Sequence, residues 1–264
     1  MSAPVVFTMG RVGSTSMSEA IWRSGLGCFD IHSVDEKRLR DRTATGKAPD
    51  HVWHAMGLRR RLLDNTDQFL IITSMRDPIS RNISAVMQNI RYALPKGMAL
   101  DSEEAKRVVL GKIRRYDHYK PLRWVHREMG ALGIDLYAHP FDPAEKYAVY
   151  DDRTKVVVFR VDAPDEIKSR VLSECLGRKI EVKRENGAED KPHKELYRYA
   201  MRFRFPDDFV NRMYDHRYVR HFWTEEERAA FKEHWSISAN PDAPLLRVAR
   251  KPKRAETSEA ESAV

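Results

Sequence analysis

The chain has 264 residues, 42% of them hydrophobic and 33% charged, with a formal net charge of +8 and a mean hydropathy of -0.62. That length suits one large domain or two small ones, and no apolar run approaches the roughly 20 residues a membrane-spanning helix needs. The positive charge favours anionic ligands without choosing among nucleotides, acidic polysaccharides and nucleic acids.

The N-terminus passes from Met1-Ser2-Ala3-Pro4 straight into Val5-Val6-Phe7, with no leader pattern, so the expectation is a cytoplasmic protein. Peripheral contact with a membrane face stays open. After the strand come Thr8-Met9-Gly10-Arg11-Val12-Gly13 and then Ser14-Thr15-Ser16, a glycine-bracketed turn running into a helix. Glycines let the backbone approach an anion, and a helix N-terminus offers unpaired N–H groups. An ordinary strand–turn–helix has the same pattern, so this loop alone decides nothing.

Helix one is expected over Ser14–Ser24, with Met17, Ala20 and Ile21 inward. A second strand, Cys28–Val34, contains His32; a charged helix and loop fill 35–50; and His51–Met56 reads as another short strand, carrying His51 and His54. Phe69–Met75 is a buried strand ending in Arg76-Asp77-Pro78, with Asp77 as N-cap and Pro78 as first helical residue. Ile79, Ile83, Val86, Met87 and Ile90 share one face of that helix, and Ser84 lies on another stripe. Arg76 and Ser84 are so placed that they can grip one phosphate.

Residues 102–129 read as charged helix, with Tyr119, Trp124 and His126 either lining an acceptor groove or, as aromatic residues at helical spacing more often do, packing in the core. A turn-rich section spans 133–150, a strand 155–161 and a helix 165–176. Residues 178–194 are polar and irregular, a candidate ligand loop. Helices follow over 196–205, 207–214 and 225–235, and 248–264 reads as a disordered charged tail. Cys28 and Cys175 stand without metal or redox spacing, as buried thiols. The expected architecture is one α/β domain over 1–247, with a mostly parallel central sheet flanked by helices and a helical C-terminal part.

Two motifs in order, each after a strand, carry a family likeness. Gly10-Arg11-Val12-Gly13-Ser14-Thr15-Ser16 resembles the 5′-phosphosulfate loop of sulfotransferases that use 3′-phosphoadenosine 5′-phosphosulfate (PAPS). Arg76 and Ser84, eight residues apart, resemble their 3′-phosphate site. The segments Ile72–Ala85, Gly133–Tyr137 with Pro140-Phe141-Asp142, and Tyr214–Trp223 are similar to bacterial capsular polysaccharide synthesis proteins.

The resemblance implies a P-loop-like sulfotransferase fold and sulfuryl transfer from PAPS, as donor substrate, to a hydroxyl on a carbohydrate or polysaccharide. It implies donor contacts at Arg11, Gly13, Ser14, Thr15, Ser16, Arg76 and Ser84, with Arg11 also catalytic. The family's loop lysine is Arg11 here, which keeps the charge but donates as a fork. The late Arg/Lys-Gly ligand loop of cytosolic sulfotransferases has no clear counterpart, Arg178-Lys179 and Arg184-Glu185-Asn186 being the segments that could stand in. No metal is implied, since Arg11 and loop N–H groups can supply the positive potential.

The base should be a histidine near the sulfate. The resemblance favours His54, which lies 22 positions before Arg76 as the catalytic His does in cytosolic and some carbohydrate sulfotransferases. His32 is the rival, placed just after helix one where other branches have a catalytic Glu, and His51 is third.

Other readings fit less well. There is no GxxxxGK[ST] for a P-loop NTPase and no GxGxxG for a dinucleotide-binding enzyme. No nucleic-acid-binding module is visible. A non-catalytic nucleotide-binding protein of polysaccharide assembly is the alternative.

Overall fold

The computed structural model describes residues 4–44, 46–64, 69–183 and 192–248. It is an α/β structure: a five-stranded sheet with twelve α-helices among the described residues. The strands are β1 (Val5–Phe7), β2 (Phe29–Ile31), β3 (Leu70–Met75), β4 (Tyr147–Asp151) and β5 (Lys155–Arg160), in the order β2-β1-β3-β5-β4. All neighbours are parallel except the β4–β5 pair at the edge.

Alternate strand residues feed two cores. Val6, Leu70, Ile72, Val157 and Phe159 face α1 (Ser14–Arg23) and α8 (Asp165–Leu176). Val5, Phe7, Ile71, Val156 and Val158 belong to the larger core on the other face. That face carries α3 (Asp50–Asp64), α4 (Pro78–Gln88), α6 (Glu103–Arg115) and most of the C-terminal helices. Continuous apolar strands are what a sheet covered on both sides requires.

The chain steps from β1 outward to β2, then crosses to β3 on the opposite flank of β1. The strand order therefore reverses between β1 and β3, and in open α/β sheets that reversal leaves a crevice beyond the C-terminal strand ends. The loops after β1 and β3 border it.

Three segments differ from the sequence expectations. Residues 51–56 are not a strand but the start of the 15-residue helix α3, which buries Val52, Ala55, Leu58 and Leu62 at helical spacing. Strand β4 arises in the section expected to be turns, its side chains mostly half-exposed at the sheet edge. The 102–129 stretch is broken into α6, α7 (Lys120–Trp124) and a π-helical turn, Val125–Met129. Val248, assigned to the tail, packs against the core; residues 249–264 lie outside the described residues. No helix among the described residues is long and apolar enough to cross a membrane.

Candidate active site

The loop from Thr8 to Gly13 is held by two arginines of the β3–α4 segment. Arg81 donates through Nη2 to the carbonyl of Met9 at 2.6 Å and through Nε to that of Gly10 at 3.2 Å. Arg76 donates through Nη1 to the carbonyl of Arg11 at 2.9 Å. Three consecutive carbonyls are thus drawn toward guanidinium groups. Across a trans peptide the next N–H points the opposite way, so the N–H groups of Arg11 and Val12 face away from Arg76 and Arg81.

The loop backbone suits that arrangement. Gly10, Arg11 and Gly13 have φ of 73°, 65° and 80°. Arg11 is one of two non-glycine residues with positive φ among those described, a conformation that costs an L-residue roughly 1 kcal/mol. Successive N–H groups in such a curl form an anion-binding concavity. Gly13 is also the N-cap of α1 and supplies no side chain, whereas α2 (Glu36–Thr43), α4 and α6 are capped by Asp35, Asp77 and Ser102. The first turn of α1 contains no acidic residue, so its N–H dipoles add to the positive potential.

The side chains converge. Arg11 Nε donates to Ser84 Oγ at 3.4 Å, so residues expected at opposite ends of one nucleotide share a small area. Burial and the neighbouring Arg76 and Arg81 guanidiniums lower the Arg11 pKa. Among the described residues no carboxylate pairs with Arg11, Arg76 or Arg81. Arg160, at the end of β5, is the contrast: buried as deeply as Arg81, it is neutralised by Asp162 at 2.7 Å and Glu227 at 2.6 Å, whereas Arg11 and Arg76 are half-buried. The sheet's strand ends hold one saturated arginine and one cluster of like charge left uncompensated.

From the other side, two tyrosines of the C-terminal helices brace the β3 end. Tyr218 is fully buried and its hydroxyl both accepts from Arg76 N and donates to Arg76 O, each at 3.0 Å. Tyr214, also fully buried, donates to Asp77 Oδ1. Asp77 meanwhile caps α4 through the N–H groups of Ile79 and Ser80, as the sequence predicts.

The hydroxyls after Gly13 diverge. Ser14 is buried and its hydroxyl lies near enough to Asp30 of β2, which the sequence reading did not single out, to favour the ionised carboxyl. Thr15 is exposed on the first turn, and Ser16 is half-buried. Burial pushes the Asp30 carboxyl up to about 7, opposed by the nearby Ser14 hydroxyl; its buried Oδ1 takes part in no hydrogen bond and lies 3.7 Å from His32 Nδ1.

The three candidate histidines separate clearly. His32 follows β2 and lies against the loop: a Cβ placed on Gly10 would come within 3.5 Å of His32 Cδ2 and Nε2. His32 Nδ1 sits 2.9 Å from the carbonyl of Ile31. A carbonyl can only accept, so Nδ1 carries the proton and Nε2 keeps its lone pair at the loop. Burial, with His51 and Arg81 nearby, drives the His32 pKa down to about 4. His51 packs its ring on His32 at 4.6 Å between centroids. His54, one helical turn further along α3, instead packs edge-on against Phe29 at 5.6 Å, with Nδ1 buried and unpartnered.

Of the late-loop candidates, Arg178 lies beside Gly25, just past the far end of α1 from the loop. Lys179 pairs with Glu181 at 2.7 Å. Residues 184–186 lie outside the described residues. In the acceptor-groove set, Trp124 is buried and donates to the carbonyl of His32 at 3.0 Å, Tyr119 accepts from Arg212, and His126 is exposed.

Comparison with protein-family models, with curated proteins and with solved structures gives no match.

Proposed function

We propose that the chain is a sulfotransferase that moves a sulfuryl group from PAPS to an acceptor hydroxyl on a carbohydrate or polysaccharide, on a P-loop-like sulfotransferase fold. The observation that carries this reading is the convergence of Arg11, Arg76 and Ser84 at the β1/β3 crevice with no carboxylate among them. Clustered, partly buried cations without a counter-charge are costly in a fold unless an anion completes them. A nucleotide with phosphate at both ends matches two strand-end arginines, and the motif order supplies the sulfuryl donor.

In the transfer, the acceptor oxygen attacks sulfur in line, the bond from sulfur to the bisphosphate oxygen breaks, and the hydroxyl proton passes to a base. Charge that accumulates on the leaving oxygen falls to Arg11 and the loop N–H groups. The 3.4 Å contact from Arg11 to Ser84 is long and yields readily to an incoming oxyanion. Arg76 and Ser84 take the 3′-phosphate.

We assign the base role to His32 rather than His54. His32 Nε2 is unprotonated and against Gly10, while His54 is turned toward Phe29. Burial is the main cause of the low His32 pKa, with His51 and then Arg81 adding to it, and a bound anionic donor would act in the opposite direction and strengthen this base.

The test is incubation with radiolabelled PAPS and a panel of polysaccharides. The reading expects label on an acceptor and release of adenosine 3′,5′-bisphosphate. Binding of the bisphosphate without transfer to any acceptor would favour the non-catalytic nucleotide-binding alternative.

A further inference from the structure

A cavity of about 210 Å³ lies between α2 and the α7–π-helix segment. It is lined by Arg38, Lys120, Arg123, Trp124, Arg127 and Glu128, among others. A second depression of about 210 Å³ adjoins it and shares Asp35, Arg127 and Glu128, so the two form one trough. The trough's inner wall belongs to the candidate site: Trp124 holds the carbonyl of His32, and Lys120 lies near enough to Arg81 to feel its charge.

The charges lining it are not balanced. Glu128 is buried and spends both oxygens on Ser33 Oγ and Val34 N, each at 2.8 Å. Asp35 accepts the N–H of Arg38 at 2.7 Å, and Asp117 pairs with Arg123 at 2.7 Å. Lys120, Arg38 and Arg127 then face the trough, with only a loose 3.8 Å approach of Arg38 to Glu128. Lys120 is pushed down to about 8 by burial, with Arg38, Arg81 and Arg42 acting in the same direction and Asp117 against them. The acids are engaged by neighbours but keep their charge, Glu36 of the second depression included, so the lining carries five cations against four acids, and among the described residues Lys120 and Arg127 have no carboxylate partner.

Building on the sulfotransferase reading, we propose that this trough binds the acceptor and that the acceptor is an acidic saccharide bearing carboxylates, held by Lys120, Arg38 and Arg127. A trough of two joined depressions suits successive sugar units better than one small molecule. A carboxylate-bearing unit supplies partners for Lys120 and Arg127, which no lining carboxylate pairs with.

Calorimetry on the full-length protein, at low and moderate salt, tests this with oligosaccharides of galacturonate, of glucuronate and of alginate, each against its neutral methyl ester. The expected result is binding of at least one uronate oligosaccharide and none of its ester. Lys120→Gln and Arg127→Gln should each weaken it by about tenfold, as loss of a charge-assisted hydrogen bond does. Arg127 is exposed, so that variant carries the test should Lys120→Gln not fold. No binding by any uronate, equal binding of the ester, or indifference to the substitutions would overturn the proposal. Adenosine 3′,5′-bisphosphate is titrated in parallel. If it binds and no uronate does, only the acceptor assignment falls. If uronate binds and the bisphosphate does not, the sulfotransferase reading falls and the trough stands as an acidic-saccharide site.

Discussion

The Arg76 guanidinium donates to the main-chain carbonyl of Arg11 at 2.9 Å, tying the loop after β1 to the end of β3 across the point where the strand order reverses. Each strand end thereby fixes the other. The Arg11 backbone is held in its left-handed conformation, and Arg76 is itself braced from behind by the Tyr218 hydroxyl. A ligand entering this crevice meets a loop shaped before it arrives, which lowers the ordering cost of binding.

Arg81 is the structural centre of that loop. It is 3% exposed and its substitution by Met strips the donors from the buried carbonyls of Met9 and Gly10. Each orphaned carbonyl costs about 1–3 kcal/mol. Arg81→Met should therefore lose about 2–6 kcal/mol of stability in urea unfolding and lose bisphosphate binding with it. Wild-type stability would mean that the loop does not depend on Arg81.

The histidine assignment makes opposite predictions for two residues. His32→Gln should lower turnover with PAPS by about 10²–10⁴-fold, the usual worth of a general base, while bisphosphate binding survives. His54→Gln should keep most of the activity, since its ring packs on Phe29. Steady-state rates on the two folded variants decide between them, and loss of turnover confined to His54→Gln would reverse the assignment.

Asp30 makes stability depend on pH. Its carboxyl titrates at about 7 when folded against an ordinary 3.8. Between those values the folded protein holds the extra proton, so this contribution to stability falls as pH rises from about 4 to 7. His32 acts in the other direction: the unfolded chain takes up a proton near 6.5 that the folded protein refuses until about 4, so its contribution falls as pH drops through that window. Asp30→Asn removes the first effect alone. The variant should gain more in melting temperature over wild type at pH 8 than at pH 5, and an equal difference at both would contradict this account.

Much of the frame was legible in the sequence because it rests on local patterns. Continuous apolar runs gave β1, β3 and β5, and Asp77-Pro78 marked the start of α4. The helices at 165–176, 207–214 and 225–235 begin and end where the sequence places them, the last closed at its start by a Thr224–Glu227 capping box and the first two preceded by Pro164 and Pro206. The start of α3 misled because His51-Val52-Trp53-His54 is rich in strand formers, and its helical stripe shows only once Ala55, Leu58 and Leu62 are read together.

The site was legible only in part. Arg11, Arg76 and Ser84 announce themselves by position after strands. Arg81 does not: a mid-helix arginine reads as solvated, and its burial depends on carbonyls contributed by a distant loop. Asp30 is likewise a polar residue inside a short strand, and its neighbour Ser14 lies on a different element. The trough depends on a π-helical turn at 125–129 that no sequence period marks.

The central claim is that Arg11, Arg76 and Ser84 form the seat of a nucleoside bisphosphate, and calorimetric titration with adenosine 3′,5′-bisphosphate tests it most directly. Wild-type protein should bind with one site per chain, and Arg76→Ala should bind more weakly by roughly 1.5–3 kcal/mol, the value of a charge-assisted hydrogen bond. Folding of the variant is checked by its unfolding curve. No binding by wild type, or equal affinity in a folded Arg76→Ala protein, would contradict the account.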